Sequence, residues 1–192
     1  MTSADERYGS EEIVIRRLED QAGLMRSRER EKVEAAMDRF EKRFPQLFFA
    51  VCTSRTEGRS DVRQFGFWLL NRAAFKDVPL DRPNECGILL TIDPDAKSAG
   101  LTWGYALDAF LNADDTFLFL RHAHAYWVEG RYSEGIVRGL HQLSKVLAKR
   151  CRQAKSDPER FEKRVAAPKA ARQVAERIRA GHRKSGKKGV AP

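Results

Sequence analysis

The chain is poor in cysteine. It has three in 192 residues, Cys52, Cys86 and Cys151, and no C-x-x-C pair. An odd, scattered set excludes a disulfide framework and an all-cysteine zinc site, and it fits a reduced, cytoplasmic setting. Long apolar runs are also missing. The unbroken run over 47–52 has six residues, and the two others of note are residues 86–92, broken by Gly87 and Thr91, and residues 117–120. All fall far short of the roughly 20 apolar residues that span a bilayer, so no transmembrane segment is expected. Residues 1–17 are charged and lack an apolar h-region, so no secretory signal is expected either. There is no G-x-x-x-x-G-K-[ST] loop and no G-x-S-x-G elbow, which removes P-loop nucleotide chemistry and serine hydrolysis. EF-hand spacing is absent as well.

What the chain has in excess is positive charge, and that excess is local. The formal net charge is +9. Residues 151–192 hold 13 Lys and Arg against 4 Asp and Glu, while residues 1–150 hold 23 of each. A uniformly basic nucleic-acid-binding domain is therefore excluded. The pattern describes a neutral globular body with a basic appendix.

Hydrophobic periodicity divides the body into elements. Residues 1–17 form a lead-in, and residues 18–25 (LEDQAGLM) read as irregular, with Gly23 as punctuation. Residues 27–44 read as a helix, with Val33, Ala36, Met37 and Phe40 at helical spacing and Ser27 as a cap. Residues 47–53 (LFFAVCT) read as a strand buried on both faces. A helix opened by Ser60 and Asp61 runs to about Phe75, followed by a proline-containing loop over 76–85. Residues 86–93 (CGILLTID) are a second buried strand. Residues 101–105 (LTWGY) form a third, paired with it as a hairpin. A short helix over 106–110 is followed by a longer one, capped by Asn112 or Asp114 and ended by Gly130. The last helix, over 133–151, has Ile136, Leu140, Leu143 and Leu147 on its buried face. The order α-β-α-β-β-α-α predicts an α/β sandwich, a small central β-sheet between α-helices. The 151–192 tail, with an Ala-rich stretch over 170–180, is expected to be flexible or only partly helical.

Three segments carry a family resemblance. Asp20-Gln-Ala-Gly-Leu-Met, the charged helix after it and LFFAVCT resemble the opening of a TPM domain. Gly87-Ile-Leu-Leu-Thr-Ile-Asp followed by Trp103-Gly-Tyr-Ala-Leu-Asp resembles that family's G-[VI]-L-L strand and G-Y-G-L-E signature. Gly130-Arg-Tyr-Ser-Glu-Gly resembles its G-[DR]-Y-x-x-G segment. Ala106 stands where the signature has its second glycine, and Asp108 where it has glutamate. Leu111-Asn-Ala-Asp-Asp stands near its L-T-D-A. The resemblance covers residues 18–150. It implies a helix-covered sheet. For some relatives it implies an acid phosphatase linked to photosystem repair in the thylakoid lumen, and for others divalent-cation binding.

The residues leave several chemistries open. Asp93-Pro-Asp95 after a buried strand resembles the nucleophile and acid/base pair of haloacid-dehalogenase phosphatases, and a β-turn is the simpler account of it. The catalytic candidates are Asp93, Asp95 and Asp108. Asp93, Asp108, Asp114 and Asp115 are the metal candidates, for Ca²⁺ or Mg²⁺, if they converge at one sheet end. Helix capping by Asp114 and Asp115 is the alternative. His122 and His124 stand about 200° apart on a helix and cannot share a metal. Cys52 lacks the Cys-x5-Arg spacing of a cysteine phosphatase and lies in a buried run. Trp103 and Tyr105 are expected on one strand face. The basic tail is expected to meet anionic surfaces, nucleic acid or lipid, in a salt-dependent way, though without the aromatics that read bases. Three functional readings follow. One is an accessory module binding a protein partner, with a divalent cation. Another is a metal-assisted phosphatase. The third is electrostatic attachment through the tail.

Overall fold

The computed structural model of the protein describes residues 13–55, 61–159 and 161. Residues 1–12 of the lead-in, residues 56–60 with Ser60 among them, and nearly all of the tail beyond residue 159 lie outside them, as does the Ala-rich stretch. The chain divides into two units, Met1–Lys149 and Arg150–Pro192.

The first unit is built on a four-stranded sheet in the order β2-β3-β5-β6. Strands β2 (Leu18–Asp20), β3 (Phe48–Thr53) and β5 (Gly87–Asp93) run parallel, and β6 (Ser98–Trp103) returns antiparallel to β5. Every residue of β3 and β5 is buried, as strands covered on both faces must be. Their side chains alternate between two cores. Phe49, Val51, Ile88, Leu90 and Ile92 face one layer of helices. That layer is α1 (Ser27–Arg43), α3 (Ala113–Val128) and α4 (Tyr132–Ser156), which contribute Met37 and Phe40, Phe119, and Ile136, Leu140 and Leu143. Phe48, Ala50, Cys52 and Leu89 face the other layer, where α2 (Val62–Arg72) presents Trp68, Leu69 and Leu70.

Local chemistry fixes the helix ends. In α1 the Glu29 carboxylate accepts the Arg26 N–H at 2.9 Å, so the cap lies one residue before Ser27. Asp61 caps α2 by accepting the Arg63 N–H at 2.8 Å. Asn112 and Asp115 form a reciprocal box at the start of α3, at 3.2 and 2.8 Å. Gly130, at φ 74°, stops that helix. Helix α4 begins at Tyr132 and runs to Ser156, past the expected end at Cys151.

Further elements differ from the sequence expectation. Residues 18–25 are not wholly irregular, because Leu18–Asp20 is the edge strand β2, paired with Val51–Thr53. The expected helix to Phe75 stops at Arg72. Ala73–Phe75 is strand β4, which pairs in parallel with β1 (Ile13–Ile15) as a separate two-stranded sheet. Strand β6 starts at Ser98 rather than Leu101 and stops at Trp103. Tyr105 therefore leaves the strand for a 3-10 turn over Tyr105–Leu107, and it does not share a strand face with Trp103.

Candidate functional site

The parallel strands β2, β3 and β5 end together, and the crevice beyond such carboxyl ends is where open α/β sheets usually place ligands. Asp20 ends β2, Thr53 ends β3 and Asp93 ends β5. Asp20 aligns with Thr53, and Thr53 with Ile92. Each side chain here has hydrogen-bonding work. Asp20 accepts the Thr53 hydroxyl at 2.6 Å and the N–H groups of Leu24 and Met25, each at 3.0 Å. These bonds fold residues 20–25 back over the sheet edge, with Gly23 in the left-handed region at φ 66°. Asp93 is 1% exposed and accepts the N–H groups of Asp95 and Ala96 at 3.0 and 3.1 Å. This is the Asx-type turn that Asp-Pro favours. Asp95 is exposed and forms an ion pair with Arg55.

The other acids lie elsewhere. Because β6 runs antiparallel, Trp103 pairs with Ile88 near the start of β5. The chain beyond Trp103 is thus carried to the end of the sheet opposite Asp93, about 20 Å away at the strand rise per residue. There Asp108 accepts the Trp103 indole N–H at 3.1 Å. Asp115 is committed to the α3 cap, and Asp114 is exposed in the same first turn. The five carboxylates therefore divide between two ends of the sheet instead of sharing one. Among the described residues no three His, Cys, Asp or Glu side chains are placed to hold a metal ion.

Other candidates have plain positions. His122 and His124 are exposed on α3, on either side of the buried Ala123. Cys52 is buried, and burial, aided by the Glu19 charge, pushes its thiol up to about 12. A thiol held protonated in this way is an inert core group.

The family-like segments also have structural explanations. A Cβ on Gly104 would lie 2.2 Å from the Glu85 carbonyl oxygen. Only a residue without one lets the chain after β6 pass the 3-10 turn at Asn84–Cys86. A Cβ on Gly87 would lie 2.5 Å from the Phe48 ring. Ala106 sits in the 3-10 turn, and Lys97 is the one described non-glycine residue with positive φ, so the missing second glycine needs no strain. In Gly130-Arg-Tyr, the Arg131 guanidinium pairs with Glu129 and Glu134 and lies 4.9 Å from the Tyr126 ring centroid. Tyr132 stacks on Trp127 and accepts its indole N–H through the backbone carbonyl at 3.2 Å.

The family model of the TPM domain matches residues 18–146. The chain belongs to the TPM domain family. A solution NMR structure of the N-terminal domain of a protein from P. gingivalis resembles this TPM domain at 23% identity. The match covers 70% of this chain and 83% of that one, with a TM-score of 0.52, and it supports the fold alone. No curated protein matches the chain. Among the described residues no helix is long and apolar enough to cross a membrane.

Sequence reasoning misses one feature of this TPM domain. A groove of about 680 Å³ lies between α1 and α4. Lys32, Arg39 and Arg43 from α1 and Arg138 and His141 from α4 line it, over Ala36, Phe40, Val137 and Leu140. The signal is present as Lys32, Arg39 and Arg43 at i, i+7 and i+11, flanking the apolar stripe of α1. It is hidden because α1 also carries many acids, and only the fold separates the two sets.

Proposed function

We propose that this TPM domain is an accessory binding module rather than a metal-assisted phosphatase. One observation carries the reading: four of the five candidate carboxylates are already engaged within the domain. Asp93 closes a turn, Asp108 receives an indole and Asp115 caps a helix. Asp95 is paired with Arg55. A hard cation takes about six or more oxygen ligands, and acids parted by the length of β5 do not fit one. Recognition is then left to the surface of the body. The charge segregation of the sequence supports a separate role for residues 151–192, salt-dependent attachment to anionic surfaces.

The test uses the full chain with p-nitrophenyl phosphate and with Ca²⁺, Mg²⁺ or Mn²⁺ in turn. The expected result is no metal-dependent phosphate release and no ion-dependent rise in melting temperature. An ion present at ~100 times its Kd would add about 2.7 kcal/mol of stability, which such a melt detects readily. Turnover that requires metal and disappears in Asp108→Asn, with stability unchanged, would replace this reading with the phosphatase.

A further inference from the structure

The groove between α1 and α4 is a surface with unbalanced charge. Lys32, Arg39, Arg43, Arg138 and His141 are all exposed. Among the described residues no carboxylate lies within ion-pair distance of the four Lys and Arg side chains. The one acid on the lining, Glu134, is paired with Arg131, and its charge also acts on Lys32 and Arg138, which leaves the lining with four Lys and Arg side chains against one acid. The floor is apolar: Ala36, Phe40 and Leu140 are buried and Val137 is half-buried. The lining runs from Lys32 to Arg43 and from Ser133 to Ser144. At the helical rise each wall is about 16 Å long, or roughly three turns.

We infer that this groove docks an acidic amphipathic helix of a partner protein. The inference rests on the binding-module reading and names the partner's chemistry. Cations on both walls complement Asp and Glu flanking an apolar stripe, and the floor receives the stripe as i, i+3, i+4 and i+7 anchors. The chain's own C-terminal segment is no such complement, because residues 151–192 carry 13 basic and 4 acidic side chains. A single-stranded nucleic acid shares the negative charge, but the groove offers it no exposed Phe, Tyr or Trp ring on which to stack a base. Phe40 is the one Phe, Tyr or Trp on its lining, and it is 2% exposed.

The experiment measures fluorescence anisotropy of four labelled probes on the full chain. They are a designed amphipathic peptide with a Leu stripe flanked by Glu, its Lys-for-Glu counterpart, poly-Glu, and a single-stranded oligonucleotide. The proteins are the natural chain, the double variant Arg39→Glu/Arg138→Glu, and Val137→Asp, each with its melting temperature recorded. The acidic amphipathic peptide is expected to bind, to gain helicity by circular dichroism, and to lose about tenfold or more in affinity with the charge-reversed variant. Its Lys-for-Glu counterpart should not bind the natural chain. Val137→Asp should weaken the acidic peptide also, read at a temperature below its recorded melt because Val137 packs on the core, and the surface double variant should keep the natural melting temperature. Several results would overturn the inference. One is a Kd weaker than about 1 mM for the peptide. Equal binding of poly-Glu or the oligonucleotide is another, and so is affinity untouched by Arg39→Glu/Arg138→Glu, which assigns binding to the basic tail. Binding without a gain in helicity is a fourth. Metal-dependent phosphate release, by contrast, would sink the binding-module reading itself, so the two failures are separable.

Discussion

Replacing Asp20 by alanine should cost this TPM domain about 3 kcal/mol of stability. The magnitude comes from three bonds. The carboxylate accepts the N–H groups of Leu24 and Met25 and the hydroxyl of Thr53. Thr53 is fully buried. Its hydroxyl would lose its acceptor, at about 1–3 kcal/mol. The two amides are only part-buried and regain water, so each contributes about 0.5–1 kcal/mol, below the ~1.5–3 kcal/mol of a bond to a charged acceptor. For a chain of this length the sum corresponds to a fall in melting temperature of about 10 °C. Urea unfolding followed by tryptophan fluorescence gives the number directly, and Asp20→Asn, which keeps one acceptor oxygen, should fall between the two. A residue kept for a ligand behaves differently: its removal leaves stability unchanged or raises it. A loss below about 1 kcal/mol would therefore refute the structural account of this motif.

Gly104→Ala should destabilise by about 3 kcal/mol, because the new Cβ meets the Glu85 backbone rather than a movable side chain; calorimetric melting checks it. Glu41 is 8% exposed and bridges Arg17 at 2.6 Å and Arg82 at 2.7 Å. Burial works against the Arg17 charge, and the bonds to Glu41 and Asp38 with the field of Asp77 outweigh it and raise its pKa. Glu41→Ala should cost about 3 kcal/mol, and a double-mutant cycle with Arg82→Ala should show coupling of about 1 kcal/mol or more. A thiol reagent at pH 8 should label Cys86 and Cys151 of the folded chain and spare Cys52, whose thiolate fraction there is about one in ten thousand. The sign of the Cys52 linkage is fixed by its raised pKa. The stability held by that proton is complete below the ordinary thiol range and is lost as pH rises toward 12.

The parts of the fold that were legible are those whose signal is local. The Val33, Ala36, Met37, Phe40 stripe and the Ile136, Leu140, Leu143, Leu147 stripe define their helices by period alone. LFFAVCT and CGILLTID announce two-sided burial by composition. The short strands were not legible because their evidence is nonlocal. Ile13–Ile15 becomes a strand by pairing with Ala73–Phe75, far along the chain, and Leu18–Asp20 by pairing beside Val51–Thr53. Three residues hold too little pattern to be read as a strand by themselves. The division of the acids was readable in principle. A hairpin of β5 and β6 already carries everything after Trp103 back to the start of β5, so Asp93 and Asp108 cannot sit at one end. The groove was out of reach, since its two walls come from helices at opposite ends of the domain's sequence.

The segments by which this chain is recognised as a TPM domain are architectural. Asp20 folds a loop, Gly87 and Gly104 allow close approach, and Arg131 and Tyr132 lock the turn between α3 and α4. A signature of this kind specifies a shape and assigns no chemistry to the exposed faces. Function must then be sought among exposed residues that the signature does not fix. In this chain the described surface offers Lys32, Arg39, Arg43 and Arg138 around a half-buried Val137. None of the four is needed to fill the core, and holding like charges together costs free energy unless something of opposite sign meets them. The carboxylates of the sheet ends show the reverse arrangement, satisfied within the domain. That asymmetry supports the proposed accessory role: Asp93, Asp108 and Asp115 are bonded within the domain, and the groove's cations face outward.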